Sequence, residues 1–558
     1  MSTAPAILAR GAATRAAHDR FRAVLALAEA RLAKGDLAAA AGLAQLAATY
    51  AFPANVGLFG SPRLERLLLA IGQRLPAGAA PTPTPTLPAD ARRHVVHVLT
   101  YAKPIGGDSR FAWRWMQLDA ASRHSAVITT QAEVADDYAV PAALIEAAHA
   151  SGGEVRVLES PPARLIEQAL ELRSLCRSAD VVALHLYPYD IVPILALAAG
   201  SETAKVVLVH HSDHTFWTGS GVAHNIAHLR GQSDHFLSRR RGLDPRRATF
   251  LPIPISDPPR TIDRRDAKVA LGLDPDSVLL LTIASPFKYS APRQIGLLDL
   301  VTPVIGAHRN ARLLAVGPSD DGAWRAAGVA TEGRIQALGR RWDNDLLYAA
   351  ADVYLDSVPF ASITSLLEAG RHGTPLLGFR SSDPDMHLLG AGAPGLDEVM
   401  PLPTDPVSYR EHLARLIVDV PFRIGCGAQV QQRIRDAHTG EGWLRMLAGV
   451  YADLDAAQER GCLGEHGDAL DESGLDLALE QLFGPMQGRA RNRRLVGHCI
   501  APLPYPARLS ITLRLWMHGF GLNGLNLLPP PFHGAIRGLG RRVKAIRRAS
   551  LAPRKVSA

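Results

Sequence analysis

The feature that most constrains the fold is an alternation of short β-branched or apolar runs with helical stretches, which occurs twice along the chain. The first series comprises the runs 94–100, 125–130, 154–159, 180–186, 205–211 and 234–238. The second comprises the runs 278–285, 311–317, 334–339, 352–357 and 374–379. Strands that alternate with helices are typical of βαβ units in a parallel sheet. The sequence therefore predicts an α/β protein with two tandem, doubly wound, Rossmann-like domains.

The flanking segments have a different character. Apolar positions recur at spacings of three and four over 17–76, which predicts helices, and PAGAAPTPTPTLPAD (76–90) is a Pro/Thr-rich linker. A chain of 558 residues is long enough for several cores. The predicted domains are a helical cap (1–78), the linker (79–92), a first Rossmann-like domain (93–258), a second Rossmann-like domain (259–455) and a basic extension (456–558).

The net charge of +8 arises from the C-terminal segment of the sequence. Residues 481–558 contain 14 of the 61 Lys and Arg and none of the 53 Asp and Glu, so the remainder of the chain is mildly acidic. Arginine runs at 489–494 and 537–548 flank an apolar and aromatic stretch, a pattern typical of an interfacial segment on anionic lipid. A solvated tail is the alternative, and we expect no nucleic acid because no nucleic-acid-binding motif is present.

The cysteines and the N-terminus bear on the compartment. Four cysteines are scattered without a CxxC spacing, which favours a reducing environment. The N-terminus lacks an apolar segment of signal-peptide length, and no uncharged apolar stretch is long enough to span a bilayer. We expect a cytoplasmic protein, with peripheral attachment to the inner face of the membrane through residues 489–548 left open.

The stretch ADVYLDSVPFASITSLLEAGRHGTPLL (351–377) is the most specific in the chain. A buried strand ends at Asp356, and hydroxyl side chains then open a helix whose free N–H groups suit a diphosphate. One turn into that helix, Glu368 can accept hydrogen bonds from a ribose. An ordinary capped helix between two strands would explain the hydroxyls but not the whole set. The hydroxyl residues are Ser362, Thr364 and Ser365.

These residues resemble a motif of the GT-B glycosyltransferases, particularly the C-terminal domain of the O-GlcNAc transferase type. That motif is a strand of the form ADVxLD, a loop, a Thr-Thr pair that binds the nucleotide diphosphate, and an acid that binds ribose. The family also has a diphosphate-binding lysine in a KxxP loop, which IASPFKYSAP matches with Lys288 and, at a slightly different spacing, Pro292. The resemblance implies a nucleotide-sugar donor bound mainly by the second domain (259–455), with UDP as the family's nucleotide, and an acceptor bound by the first domain (93–258).

Two departures from the family pattern refine what the resemblance implies. The Glu-x7-Glu pair of many retaining GT-B enzymes is absent because Phe360 stands eight residues before Glu368, which favours an inverting mechanism. Asn344 occupies the position of a base-stacking histidine, so UDP is an expectation from the family alone. We expect neither a metal nor another cofactor, and the nucleotide-sugar acts as a substrate.

The stretch YAKPIGGDSRFAWRW (101–115) follows the first strand of the first series. Gly106 and Gly107 would let the backbone approach a ligand closely, with Asp108 or Arg110 facing the cleft between the two predicted Rossmann-like domains. The alternative is an ordinary tight connection between a strand and a helix.

HHSDHTFWTG (210–219) crowds three histidines and an aspartate into five positions, as a metal site would. On a strand, however, His210 and His211 point to opposite faces and cannot bind one ion. On a helix, the glutamate of an HExxH motif is missing. We expect His211, Asp213 and His214 on a loop facing the second domain. A buried histidine with a helix-capping aspartate is the alternative.

Inverting sugar transfer requires a base for the acceptor hydroxyl and positive charge for the leaving diphosphate. Asp213, His211 and Asp108 are the candidate bases, and Lys288 with the helix near Thr364 would face the diphosphate. The sequence thus predicts a hexosyl- or N-acetylhexosaminyl-transferase, for example of polysaccharide biosynthesis, acting on a glycan, a lipid-linked glycan or a protein. A catalytically silent GT-B module that serves as a binding or scaffold protein at the membrane is the alternative.

Overall fold

The computed structural model of the protein describes residues 4–76, 92–104, 107–130, 139–161, 164–199, 204–230, 236–258, 260–290, 295–382, 384–390, 396, 398–464, 470, 476, 479, 488–522 and 524–528. Gly106, Pro292, the basic run 537–548 and all but the last residue of the predicted linker lie outside these residues.

The N-terminal segment is helical, as predicted. It forms α1 (Ala4–Ala33), α2 (Leu37–Ala51) and α3 (Pro62–Gln73). Asp36 accepts a hydrogen bond from Ala39 N at 3.1 Å and starts α2, and Ser61 does the same for α3 through Leu64 N at 3.0 Å. The apolar faces of the three helices share one core with a face of the first sheet, so the cap is a layer of that domain.

The first sheet is parallel throughout. Its seven strands run in the order β3-β2-β1-β4-β5-β6-β7, and the order reverses between β1 and β4. Its strands and helices are β1 (His94–Leu99), α4 (Gly107–Leu118), β2 (Arg123–Ile128), α5 (Ala142–Ala150), β3 (Val155–Val157), α6 (Leu165–Leu175), β4 (Val181–His185), α7 (Val192–Leu197), β5 (Lys205–His210), β6 (Asn225–His228) and β7 (Ala248–Phe250).

The second sheet repeats this plan with five parallel strands. Their order is β10-β9-β8-β11-β12, and it reverses between β8 and β11. The domain comprises α8 (Arg264–Ala270), β8 (Val278–Ile283), α9 (Leu297–Ala307), β9 (Ala311–Val316), α10 (Gly322–Ala330), β10 (Ile335–Ala337), α11 (Asp345–Ala350), β11 (Val353–Leu355), α12 (Ile363–Gly370), β12 (Leu376–Leu377), α13 (Pro406–Val418) and α14 (Val420–His438). The predicted fold class is confirmed.

The C-terminal helices return to the first domain and the cap. Helix α15 (Gly440–Ala456) falls almost entirely within the range predicted for the second domain, yet it packs on β5, β6 and β7 of the first sheet. Helix α16 (Arg489–Ile500) packs on α2, and α17 (Tyr505–Met517) buries Ile511 and Leu515 in the core of the cap. Across the described residues, we find no helix with the length and apolarity needed to traverse a lipid bilayer.

One predicted strand is wrong. The run DHFLS (234–238) is predicted as extended, but Phe236–Arg240 forms a π-helical turn. The ring of Phe236 packs against Phe59 of the cap at a centre-to-centre distance of 5.1 Å. The apolar residues of this turn therefore belong to an irregular cluster and not to a sheet. The strand beside β5 is Asn225–His228, which pairs in parallel with Val207–His210.

Candidate functional site

A cavity of about 340 Å³ lies where the carboxyl ends of the two sheets face each other. Both sheets contribute the loops at the point where their strand order reverses, which is where open α/β sheets bind ligands. The N-termini of α4 and α12 meet there. A β-carbon added to Gly107 would lie 3.2 Å from the hydroxyl of Thr364, so glycine permits this close approach.

Asp356 shapes the wall of the cavity on the side of the second domain. Its Oδ1 accepts hydrogen bonds from the backbone N–H groups of Ser357 and Ser362, each at 2.8 Å. Burial raises the pKa of this carboxyl to about 6. These two bonds hold the loop before α12 in a fixed turn, so Asp356 acts on the loop while Ser362 and Thr364 line the cavity.

The first turn of α12 is open towards the cavity. Among the described residues, no side chain caps its N–H groups, and the hydroxyl of Ser362 instead donates to that of Ser365 at 3.3 Å. Uncapped N–H groups and the positive end of the helix dipole form an anion-binding position.

Lys288 reaches the same position from the loop after β8. Its Nζ donates a hydrogen bond to the carbonyl oxygen of Ala361 at 2.8 Å and lies 4.9 Å from the centre of the Phe360 ring. Burial lowers the pKa of this lysine to about 8, although the Asp356 carboxylate raises it. The ammonium therefore stands beside the open helix start, and Asp356 supplies the negative charge that raises its pKa.

Glu368, predicted to bind ribose, does not line the cavity. Its Oε1 lies 2.6 Å from Arg114 and 3.9 Å from Arg110, both on α4 of the first domain. Its Oε2 lies 3.0 Å from Arg371. Glu368 thus joins the two domains through ion pairs, and Arg110 contributes to this junction.

On the opposite wall, His211 and Asp213 have different surroundings. Nε2 of His211 lies 3.2 Å from Nδ1 of His185, and burial lowers the pKa of His211 to about 4, although Asp108 and Asp213 raise it. Burial alone would raise the pKa of Asp213, but the charge of Arg230, which pairs with its Oδ2, holds it well below its usual range. His211 is neutral at pH 7, whereas Asp213 is a weakly basic, ion-paired carboxylate.

The two adjacent histidines separate as strand alternation predicts. Nδ1 of His210 lies 3.2 Å from Asp213 Oδ1, and its ring packs at a tilt against Trp217 with 4.1 Å between the ring centres, whereas the ring of His211 packs against Phe111. His214 packs edge-on against Phe360 at 4.5 Å, and burial lowers its pKa to about 3. Within the described ranges, we find no group of three or more His, Cys, Asp or Glu arranged to hold a metal ion.

The cavity therefore gathers most of the predicted site residues and leaves some at its margin. Those that line it are Gly107, Asp108, His211, Asp213, His214, Lys288, Ser362 and Thr364. Asp356, Ser365, Glu368 and Arg110 lie behind the walls, and Gly106 falls outside the described residues.

Arg230 is a cavity residue that sequence reasoning missed. Besides pairing with Asp213, it donates hydrogen bonds to the carbonyl oxygens of Gly390 at 2.6 Å and Leu388 at 2.9 Å, so it links the two domains. Its only sequence signal is its position just after the unrecognised strand β6. Arg114, the partner of Glu368, lies within an amphipathic helix and carried no signal at all.

Neither protein-family profiles nor curated protein sequences match the chain. The solved structures similar to it are GT-B glycosyltransferases. A glycosyltransferase from Rickettsia africae is 11% identical with a TM-score of 0.49, and the match covers 65% of this chain and 99% of that one. HepE from Anabaena, in complex with UDP and glucose, is 12% identical with a TM-score of 0.48, covering 65% and 100%. A mutant O-GlcNAc transferase from Thermobaculum terrenum is 16% identical with a TM-score of 0.44, covering 78% and 83%.

Proposed function

We propose that the protein is an inverting glycosyltransferase that transfers a sugar from a nucleotide-sugar donor. The observation that carries this proposal is the pairing, across one cavity, of a cationic diphosphate position with a neutral histidine. Lys288 and the open start of α12 form the first, and His211 forms the second. The functional argument rests on these residues, since the similarity to solved structures is distant.

The donor side favours a diphosphate over a neutral ligand. An ammonium whose pKa is lowered by burial gains a partner when a diphosphate binds, as do the uncapped N–H groups of α12. These groups would also stabilise the negative charge that develops when the diphosphate leaves. Because protein groups supply that charge, we propose a reaction that needs no metal or other cofactor. UDP is proposed as the nucleotide from the motif resemblance.

The acceptor side supports base catalysis by His211. The imidazole of His211 is unprotonated at pH 7 and can take the proton of an acceptor hydroxyl, and the ion pair with Arg230 makes Asp213 the weaker base of the two. Asp108 stands on the same wall and remains a second candidate. Attack on the side opposite the diphosphate would invert the anomeric configuration.

An aromatic group beside the cavity supports a glycan acceptor. The rings of Tyr101, Tyr187 and Tyr189 adjoin one another, and Phe52 of the cap packs on Tyr189 at 5.4 Å. Phe52 and Tyr187 line the cavity. Sugar faces stack on such rings, so we propose that the acceptor enters between the cap and the first sheet. The screen of nucleotide sugars described below would identify the class of sugar that is transferred.

A lipid-linked acceptor at the cytoplasmic face of a membrane is favoured by a second surface. Trp516 and Met517 on α17 are 56% and 70% exposed, and they border a groove that also contains Arg20 and Arg491. Exposed aromatic and apolar side chains beside arginines suit anionic lipid. Flotation with anionic and with zwitterionic vesicles tests this: binding to anionic vesicles alone supports it, and no binding to either favours a glycan or protein acceptor.

A screen of nucleotide sugars tests the proposed function against a silent binding module. Thermal shift reports binding, and release of free sugar reports turnover. An active enzyme requires both with at least one donor, and both must weaken in Lys288→Met. Binding without turnover, whichever acceptor is added, would favour the silent module. The absence of both binding and turnover would overturn the assignment of the donor site.

A further inference from the structure

Four histidines form a continuous hydrogen-bonded chain from the cavity across the first sheet to β2, the strand next to its edge. His211 Nε2 lies 3.2 Å from His185 Nδ1, and His185 Nε2 lies 3.0 Å from His97 Nδ1. His97 Nε2 lies 3.0 Å from His124 Nδ1, and His124 Nε2 lies 2.9 Å from the backbone carbonyl oxygen of Asp119. The chain crosses β4, β1 and β2, and its inner members do not line the cavity.

The carbonyl at the end of the chain sets the direction of every bond in it. A carbonyl oxygen only accepts, so Nε2 of His124 carries a proton, and in the neutral ring Nδ1 must accept. His97 therefore donates through Nε2 and accepts through Nδ1, and the same holds for His185. Because His185 accepts through Nδ1, His211 must donate through Nε2, which leaves Nδ1 of His211 unprotonated with a free lone pair.

The surroundings keep the chain neutral and ordered. His97 and His124 are fully buried and His185 is 3% exposed. Burial lowers the pKa of His97 and His185 well below the usual value, and it also lowers that of His124. The ring of Trp115 packs edge-on against His97 at 5.1 Å.

We propose that His185, His97 and His124 are positioning residues that hold His211 as the tautomer with a bare Nδ1, which then receives the proton of the acceptor hydroxyl. In that step the O–H bond breaks and an N–H bond forms on Nδ1. The acceptor oxygen bonds to the anomeric carbon, and the bond from that carbon to the diphosphate breaks with both electrons on the phosphate oxygen. The negative charges of Asp108 and Asp213 favour the imidazolium that forms. This inference rests on the proposed function for its chemistry, but not for the tautomer.

The tautomer is measured directly by long-range 15N–1H NMR of the histidine rings in the full-length protein, without any substrate. We expect protonated Nε2 and unprotonated Nδ1 at all four chain positions, assigned by single His→Gln variants. A protonated Nδ1 on His211 in the wild-type protein overturns the inference, whether or not the protein transfers sugar.

Kinetics of variants at His97 test the consequence for catalysis. His97→Leu interrupts the chain two imidazoles away from the cavity, and we expect kcat to fall at least tenfold with the donor KM unchanged. His97→Gln offers one acceptor and one donor in place of the ring nitrogens and should restore kcat to within a few-fold of wild type. His94→Gln is the matched control, because His94 is buried on the same strand but bonds outside the chain, to Ser178 and Ser125.

The outcomes separate the two proposals. Loss of kcat in His97→Leu with rescue in His97→Gln, while His94→Gln stays near wild type, supports the positioning role. Equal loss in all three variants at equal thermal stability points to a general packing effect and contradicts it. If no variant, including wild type, turns over any nucleotide sugar, the proposed function fails, and the NMR result alone decides the tautomer.

Discussion

Replacing Lys288 by methionine should stabilise the protein while weakening donor binding. A pKa near 8, against the ordinary 10.5, means that holding the lysine protonated at neutral pH costs roughly 3 kcal/mol. Two effects reduce the gain: Lys288 as a whole is only half-buried, so solvent screens part of this cost, and methionine loses the hydrogen bond to Ala361, worth about 1 kcal/mol. We expect the free energy of unfolding to rise by about 1 kcal/mol.

The same variant should bind UDP roughly 10- to 100-fold more weakly, because a charge-assisted hydrogen bond contributes about 1.5–3 kcal/mol. Calorimetric titration and thermal unfolding of the ligand-free protein measure the two effects. Lys268→Met is the matched control: this buried lysine of the same domain lies 2.6 Å from Asp352, away from the cavity. It should lower stability by about 3 kcal/mol and leave UDP affinity unchanged. A Lys288→Met protein that is less stable than wild type would contradict the cost of burying this ammonium. A variant that binds UDP like wild type would contradict the role of Lys288 in binding the diphosphate.

Three further predictions concern pH and the residues behind the cavity walls. Since Lys288 must be charged to bind a diphosphate, UDP affinity should be constant below its pKa of about 8 and fall as pH rises above it; titrations at pH 6.5–9.5 in wild type and Lys288→Met check this. Glu65 of the cap accepts hydrogen bonds from Gly219 N at 2.6 Å and Gly221 N at 2.9 Å. Glu65→Ala leaves both buried N–H groups without this acceptor, a loss of about 4 kcal/mol, while removal of the buried carboxylate regains about 2 kcal/mol at neutral pH. The free energy of unfolding should therefore fall by about 2 kcal/mol, and turnover should decrease because the loop of His211 is released. Denaturant unfolding and donor hydrolysis measure it, and unchanged stability would argue against that anchor. Glu368→Gln should lower stability by about 3 kcal/mol without nucleotide, because it leaves Arg114 unpaired; reduced UDP affinity at full stability would instead support the ribose role.

The free energy of unfolding of the wild-type protein should also depend on pH through the titration of Glu65. Burial raises the pKa of this carboxyl to about 6 from 4.5, so the folded state binds its proton more tightly than the unfolded chain does. The contribution is favourable at low pH and is lost as pH rises through 6, by about 2 kcal/mol in total.

The sequence predicts the architecture well because strands buried in parallel sheets leave long apolar runs. KVVLVHH and VLLLTIAS are such runs, and they form β5 and β8. Strand β6 was missed because Asn225 and His228 interrupt its apolar pattern; in the sheet, Asn225 bonds Thr249 at 2.9 Å. DHFLS was mistaken for it because its residues suit either a strand or an irregular apolar cluster.

The site was predictable where a local motif carries it and not where distant segments meet. Lys288 and the hydroxyls before α12 follow directly from motifs in one domain. Glu368 satisfies its motif equally well, yet Arg114 reaches it from 254 positions away in the chain. The histidine chain had a signal, since His97 and His185 stand within apolar strands, but their contacts depend on sheet register.

The most direct test of glycosyl transfer in this cavity is 1H NMR of the sugar released from a nucleotide-sugar donor at early times. With an α-linked donor, we expect that the β-anomer appears first and that Lys288→Met and His211→Phe abolish its release. Release of the α-anomer would contradict the inverting mechanism. Unchanged turnover in both variants would contradict the cavity as the site of the reaction.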